Sequence, residues 1–142
     1  QDGSRLEFKK TFSHNTMMVD GEEQHECWAP FRVARYSTAT IESSDGVTAR
    51  GCMLLRGRAP RIVREISLVD DGVHIIDKAI GGKGLESSFI FAFGQPCIAG
   101  HCIDVDYSPE FGALGSARQV LMGEADELTI PYPASCEGVE HR

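Results

Sequence analysis

The chain has 142 residues, 42% of them hydrophobic and 25% charged, with a net charge of −7. That length fits one domain, and a domain of this size buries roughly 70% of the surface its unfolded chain exposes, so it can stand on a hydrophobic core alone. The acidic balance argues against nucleic acid as a partner. No segment approaches the roughly 18 apolar residues of a membrane helix, and the opening QDGSRLEFKK is too polar and charged to read as a signal peptide.

The first informative stretch is TFSHNTMMVDGEEQ, Thr11 to Gln24. It joins a histidine, a strand-like apolar run, an Asp-Gly turn and an acidic patch. For His14 alone, the plain reading is a strand-entry histidine bonded to a backbone carbonyl. Asn15 and Thr16 suit backbone hydrogen bonding near a strand end, and Asp20-Gly21 suits a turn. Gly and Asp-Gly punctuation recurs at VDGEE (19–23), SSDGV (43–47), VDDGV (69–73) and GGKG (81–84). The runs between are rich in Val, Ile, Phe and Thr, as in antiparallel strands joined by tight turns.

Residues 32–41 (RVARYSTATI) alternate like a strand. The clearest pair is RIVREISLVD followed by GVHIIDKAI. In the first, Ile62, Arg64, Ile66 and Leu68 share a face. In the second, Val73, Ile75, Asp77 and Ala79 alternate with His74, Ile76, Lys78 and Ile80. Period-two sorting predicts a hairpin around Asp70-Asp71-Gly72. Residues 87–94 (SSFIFAFG) read as a core strand, 107–116 as a long loop, 118–132 as a last hairpin, and 133–142 as a weakly ordered tail. No stretch offers a convincing amphipathic helix. The fold class expected is all-β, an antiparallel sandwich or barrel in one domain, 1–142.

Cysteine usage adds a compartment hint. Cys27, Cys52, Cys97, Cys102 and Cys136 are odd in number and irregular in spacing. That favours reduced thiols over a disulfide framework and leans toward a reducing compartment. Cys97, His101 and Cys102 (CIAGHC) lack the two-residue spacing of a zinc knuckle and read as a loop or strand end. His25, two residues from Cys27, reads as a loop histidine. Tyr36, Tyr107 and Tyr132 sit in no recognisable catalytic context. Arg50, Arg56, Arg58, Arg61 and Arg64 crowd fifteen residues of an acidic chain. They are either a surface for an acidic sugar or a neighbouring domain, or charged strand edges that discourage pairing.

Three segments, HNTMMVDGEEQ, WAPFRVAR and PRIVREISLVDDGVHIIDKAIGG, followed by FIFAFGQP, resemble in that order the C-terminal β domain of heparinase II/III-like polysaccharide lyases. The resemblance implies a β-sandwich that packs against an α/α toroid and closes a cleft. Such enzymes cleave uronic-acid polysaccharides, alginate-like or heparan-like, by β-elimination. It also implies that His14 is one ligand of a zinc ion in a full-length protein, its other ligands lying on strands absent from this chain. The isolated chain would then hold no cofactor and no catalytic residue, and would be a fragment contributing cleft wall and interdomain surface. Its partners would be the toroid and an acidic polysaccharide, with no nucleic acid and no membrane. The alternative is a stand-alone carbohydrate- or protein-binding sandwich without catalysis.

Overall fold

The computed structural model describes residues 6–29, 31–57, 59–91, 101–107, 115–122 and 127–131. Eleven strands follow in chain order among them: β1 (Met17–Val19), β2 (Glu26–Ala29), β3 (Arg32–Ala34), β4 (Thr38–Ser44), β5 (Thr48–Leu54), β6 (Arg61–Val69), β7 (Gly72–Ile80), β8 (Leu85–Phe91), β9 (His101–Tyr107), β10 (Gly115–Met122) and β11 (Glu127–Pro131). The named helical elements are two three-residue 3-10 turns, Thr11–Ser13 and Leu55–Gly57. No helix among the described residues is long and apolar enough to cross a membrane. The fold is an all-β antiparallel sandwich.

One sheet runs β11-β7-β6-β5-β4 and the other β1-β8-β10-β9, while β2 and β3 form a separate two-stranded ribbon. Strands β4 to β7 are a meander. Asp45 closes its first turn: its carboxylate accepts the N–H groups of Thr48 (2.6 Å) and Val47 (2.9 Å). Those two bonds, Thr48's first, hold the Asp45 carboxyl below its usual range. The β6–β7 hairpin has the register expected from its apolar faces: Ile62 lies opposite Ala79, Arg64 opposite Asp77, Ile66 opposite Ile75 and Leu68 opposite Val73. Gly72 already belongs to β7, so the loop is Asp70-Asp71 alone.

The sheets meet over two apolar clusters. Met17, Val19 and Leu85 from the four-stranded sheet pack on Ile62, Met53 and Ala79 from the five-stranded one, with Leu55 closing the end. Phe89 packs on Ile75, Val73 and Ile130. Gly82 permits this closure, because a Cβ there would overlap the side chain of fully buried Val19.

Three expectations are corrected. Residues 118–132 are not a hairpin: β10 pairs with β8 and β9, whereas β11 crosses to the free edge of β7 and sets Ile130 opposite Val73. Alternation marks both as strands without naming their neighbours. Residues 32–41 are two strands, broken where Arg35 takes a positive φ of 50° and the Ser37 hydroxyl bonds the Gln24 carbonyl. The Asp20-Gly21 turn does not start a hairpin ladder. It is followed by a single bridge, Val19 to Glu22, and β1 pairs with β8. Most of the predicted 107–116 loop and all of the 133–142 tail lie outside the described residues.

The inner face of β6 is covered along only part of its length. Ile62 is fully buried, while Leu68 on the same face is half exposed. Ile62→Ala is therefore expected to lower stability by about 2–5 kcal/mol, and Leu68→Ala to stay within about 0.5 kcal/mol of wild type. Urea titration checks both, and equal costs would mean that the sheets do not face each other as described.

Candidate functional site

The Thr11–Gln24 block is built as a clamp. Thr11 donates its N–H to Glu23 (2.7 Å), and its hydroxyl accepts the N–H of Gln24 (3.0 Å). The Gln24 side-chain amide donates to the Thr16 hydroxyl (2.6 Å) and to the Met17 carbonyl (2.9 Å). Asn15 Oδ1 accepts the N–H of Ile90 (2.6 Å), and the Thr16 carbonyl accepts that of Ser88 (2.8 Å). At the far end Asp20 and Gly21 both have positive φ, 54° and 72°, so the chain reverses in two residues. Asp20 Oδ1 there accepts the N–H groups of Lys83 and Gly84, each at 2.9 Å. Asn15, Thr16 and Asp20 thus serve main-chain bonding and turn geometry, which fasten β1 to β8.

His14 is the exception in this block. It follows the 3-10 turn in extended conformation, and its backbone is held by Thr11 and Thr16. Its side chain is exposed and has no hydrogen-bond partner among the described residues. No group of three or more His, Cys, Asp or Glu side chains among those residues could hold a metal. A single imidazole does not satisfy tetrahedral zinc, so these residues by themselves do not fit a zinc centre.

The structure divides the arginines that crowd the sequence. Arg50 and Arg61 lie on the outer face of the five-stranded sheet and both pair with Glu42 at 2.9 Å; Arg50 also reaches Glu65 at 3.5 Å. Arg61 further donates to the Cys52 thiol at 3.2 Å. Arg56, mostly buried, bonds the Glu23 carbonyl at 3.0 Å and pairs with Glu22, so it braces the clamp. Arg58 lies outside the described residues. Arg64 faces inward.

There Arg64 grips Asp77 with both arms, Nε to Oδ1 and Nη2 to Oδ2, each at 2.7 Å. Nη1 reaches the Asn15 carbonyl at 2.7 Å. The Ser87 hydroxyl donates to the same Asp77 carboxylate at 2.7 Å, and Phe89 presents its ring 5.0 Å from the guanidinium carbon. Strands β6, β7 and β8 and the His14-Asn15-Thr16 segment thus share one polar knot. Gly51, opposite Arg64 on β5, helps leave an apolar hollow of about 260 Å³ beside it, lined by Met17, Ile41 and Met53 among others.

Of the remaining candidates, Cys27 and Cys52 are free and half-buried, and Tyr36 is exposed. His25 is half-buried. His101 and Cys102 open β9, and Tyr107 ends it. Cys97, Cys136 and Tyr132 lie outside the described residues. Sequence reasoning missed Asp77 and Glu42 as arginine partners. For Asp77 a signal existed, since it alternates onto the inner face opposite Arg64. Glu42 gave none, because a bulge between Ile41 and Ser43 resets the parity of β4.

Asp77→Ala would leave the Arg64 guanidinium inside the sandwich without its counter-charge. The expected loss is about 3–5 kcal/mol. The double variant Arg64→Met/Asp77→Leu is expected to recover most of it, because an apolar pair carries no desolvation penalty. Chemical denaturation of the three variants measures this, and a full loss in the double variant would show that the pair is needed for more than charge balance.

Residues 3–94 match the family described as heparinase II/III-like, C-terminal. No curated protein and no solved structure matches the chain. The matched span contains the clamp, the Arg64–Asp77 knot and strands β1 to β8, so the chain belongs to the heparinase II/III-like C-terminal family.

Proposed function

We propose that this chain is the β domain of a polysaccharide lyase that acts by β-elimination on uronic-acid polysaccharides of the alginate or heparan kind. In that reading it walls the substrate cleft and packs against an α/α toroid domain that carries the main catalytic groups. The observation that supports it best is the state of the His14 block. Its neighbours Asn15, Thr16, Asp20 and Gln24 are fixed through their side chains by hydrogen bonds within the clamp and to the β8 segment, whereas the exposed His14 side chain has no such bond among the described residues. A side chain held on so rigid a frame suits the rim of a cleft.

The chemistry assigns the parts. A base removes the proton at C5 of the uronate, and its electrons form the C4–C5 double bond. The bond from C4 to the glycosidic oxygen breaks, and that oxygen takes up a proton. Neutralising the C5 carboxylate acidifies the proton, and the base must stand within hydrogen-bond reach of it. In that reading His14 acts at the rim through a hydrogen bond; were a zinc ion bound in a longer protein, His14 would be one ligand, with the others on strands absent from this chain. Arg64, Arg56 and Asp77 hold the wall in shape.

The isolated 142-residue chain is expected to leave alginate and heparan uncut, while the longer protein releases unsaturated uronate, followed by its absorbance. In the longer protein, His14→Ala is expected to lower activity or zinc content by about tenfold or more. In the isolated chain the same change is expected to stay within about 0.5 kcal/mol in stability, as for an exposed side chain. Robust turnover by the isolated chain would overturn the assignment of roles.

A further inference from the structure

The β2–β3 ribbon stands apart from both large sheets and carries an unusual set of side chains. Trp28, Phe31 and Tyr36 are 64%, 78% and 68% exposed, and they are the only large aromatic side chains exposed among the described residues. All three fall within nine residues. The indole N–H of Trp28 donates to Glu26 Oε2 at 3.2 Å, and Glu26 Oε1 pairs with Arg35 at 3.0 Å. The Arg32 guanidinium carbon lies 5.9 Å from the centre of the Trp28 ring. Glu26 thus fixes the edge of the indole, and the Arg32 guanidinium lies over one face of its ring.

Arg32 also differs from the other arginines whose side chains are described. Arg35, Arg50, Arg56, Arg61 and Arg64 each pair with a carboxylate. Arg32 is exposed and pairs with none among the described residues, in a chain of net charge −7. Trp28, Phe31 and Tyr36 belong to neither buried apolar cluster. An exposed indole stacks on the C–H face of a sugar ring, and a guanidinium fork takes a carboxylate in bidentate geometry. We propose that Trp28 and Arg32 form a binding site for an acidic sugar: the ring lies on the indole face that Arg32 leaves open, and its carboxylate reaches the Arg32 guanidinium at the ring edge. This rests on the polysaccharide reading above and adds to it a contact point, on the β2–β3 ribbon, that the clamp and the arginine knot do not supply.

The test uses the whole chain and its own reporter, because Trp28 is the only tryptophan. Its fluorescence is followed during titration with alginate and heparan oligosaccharides, and with a neutral oligosaccharide as control. A saturable change with the acidic oligosaccharides, weakened by added salt, is expected. Arg32→Ala keeps the reporter and is expected to bind roughly tenfold more weakly, the cost of one lost charge-assisted contact. Trp28→Ala, followed by calorimetry, is expected to lose binding while keeping its far-UV circular dichroism. An unchanged emission, equal response to the neutral sugar, or wild-type affinity in Arg32→Ala would overturn the site. Cleavage by the longer protein is read separately. Cleavage without ribbon binding rejects this site alone, and ribbon binding without cleavage rejects the lyase reading alone.

Discussion

The bidentate grip of Arg64 on Asp77 is the constraint around which the rest of the molecule is arranged. A buried guanidinium is tolerable only with its charge matched and its donors occupied. Here Asp77 provides the charge, the Asn15 carbonyl takes a further donor, and the Ser87 hydroxyl completes the carboxylate. Those partners come from β7, from the entry to β1 and from β8. Satisfying one side chain therefore fixes how the two sheets approach. It also fixes where the segment bearing His14 crosses the mouth of the sandwich. The apolar clusters on either side give the packing its strength but not this register.

The clamp repeats that logic at lower cost. Asp20 offers a carboxylate to the N–H groups of Lys83 and Gly84, as an anion would lie in a backbone nest. Gln24 reaches back to the Met17 carbonyl, a group that β8 does not pair. A short strand of three residues, β1, is thereby held from both ends and along one edge. That explains why so many polar residues gather around so small an element: three residues of ladder do not hold it in place by themselves.

Much of this was legible in the sequence. The β6–β7 hairpin could be read residue by residue, since period-two sorting leaves one register that keeps Ile62 and Ile75 on the same face. The turn role of Asp20-Gly21 and the main-chain role of Asn15 and Thr16 followed from side-chain chemistry. What could not be read was pairing between distant segments. Nothing in β11 says that it leaves β10 for β7, and nothing in Arg50, Arg56, Arg61 and Arg64 says that they end in three different environments. Charge clustering along the chain is not charge clustering in space. The ribbon with Trp28 was visible as composition, but its exposure is a product of the tertiary fold.

The topology bears on how the protein comes to be made. Met17 pairs with Ser87, and Phe12 receives bonds from Ser88 and Gln119. The His14 block emerges early in synthesis, yet β8, the strand that pairs with β1, comes out some seventy residues later. The β4–β7 meander needs only neighbouring segments, and loop-closure entropy favours its assembly first. The block that presents His14 is therefore set in the last stage of folding. Until β8 arrives, Met17, Met18 and Val19 lack the strand they pair with, and the nascent chain passes through a stage in which three adjacent apolar residues are incompletely covered.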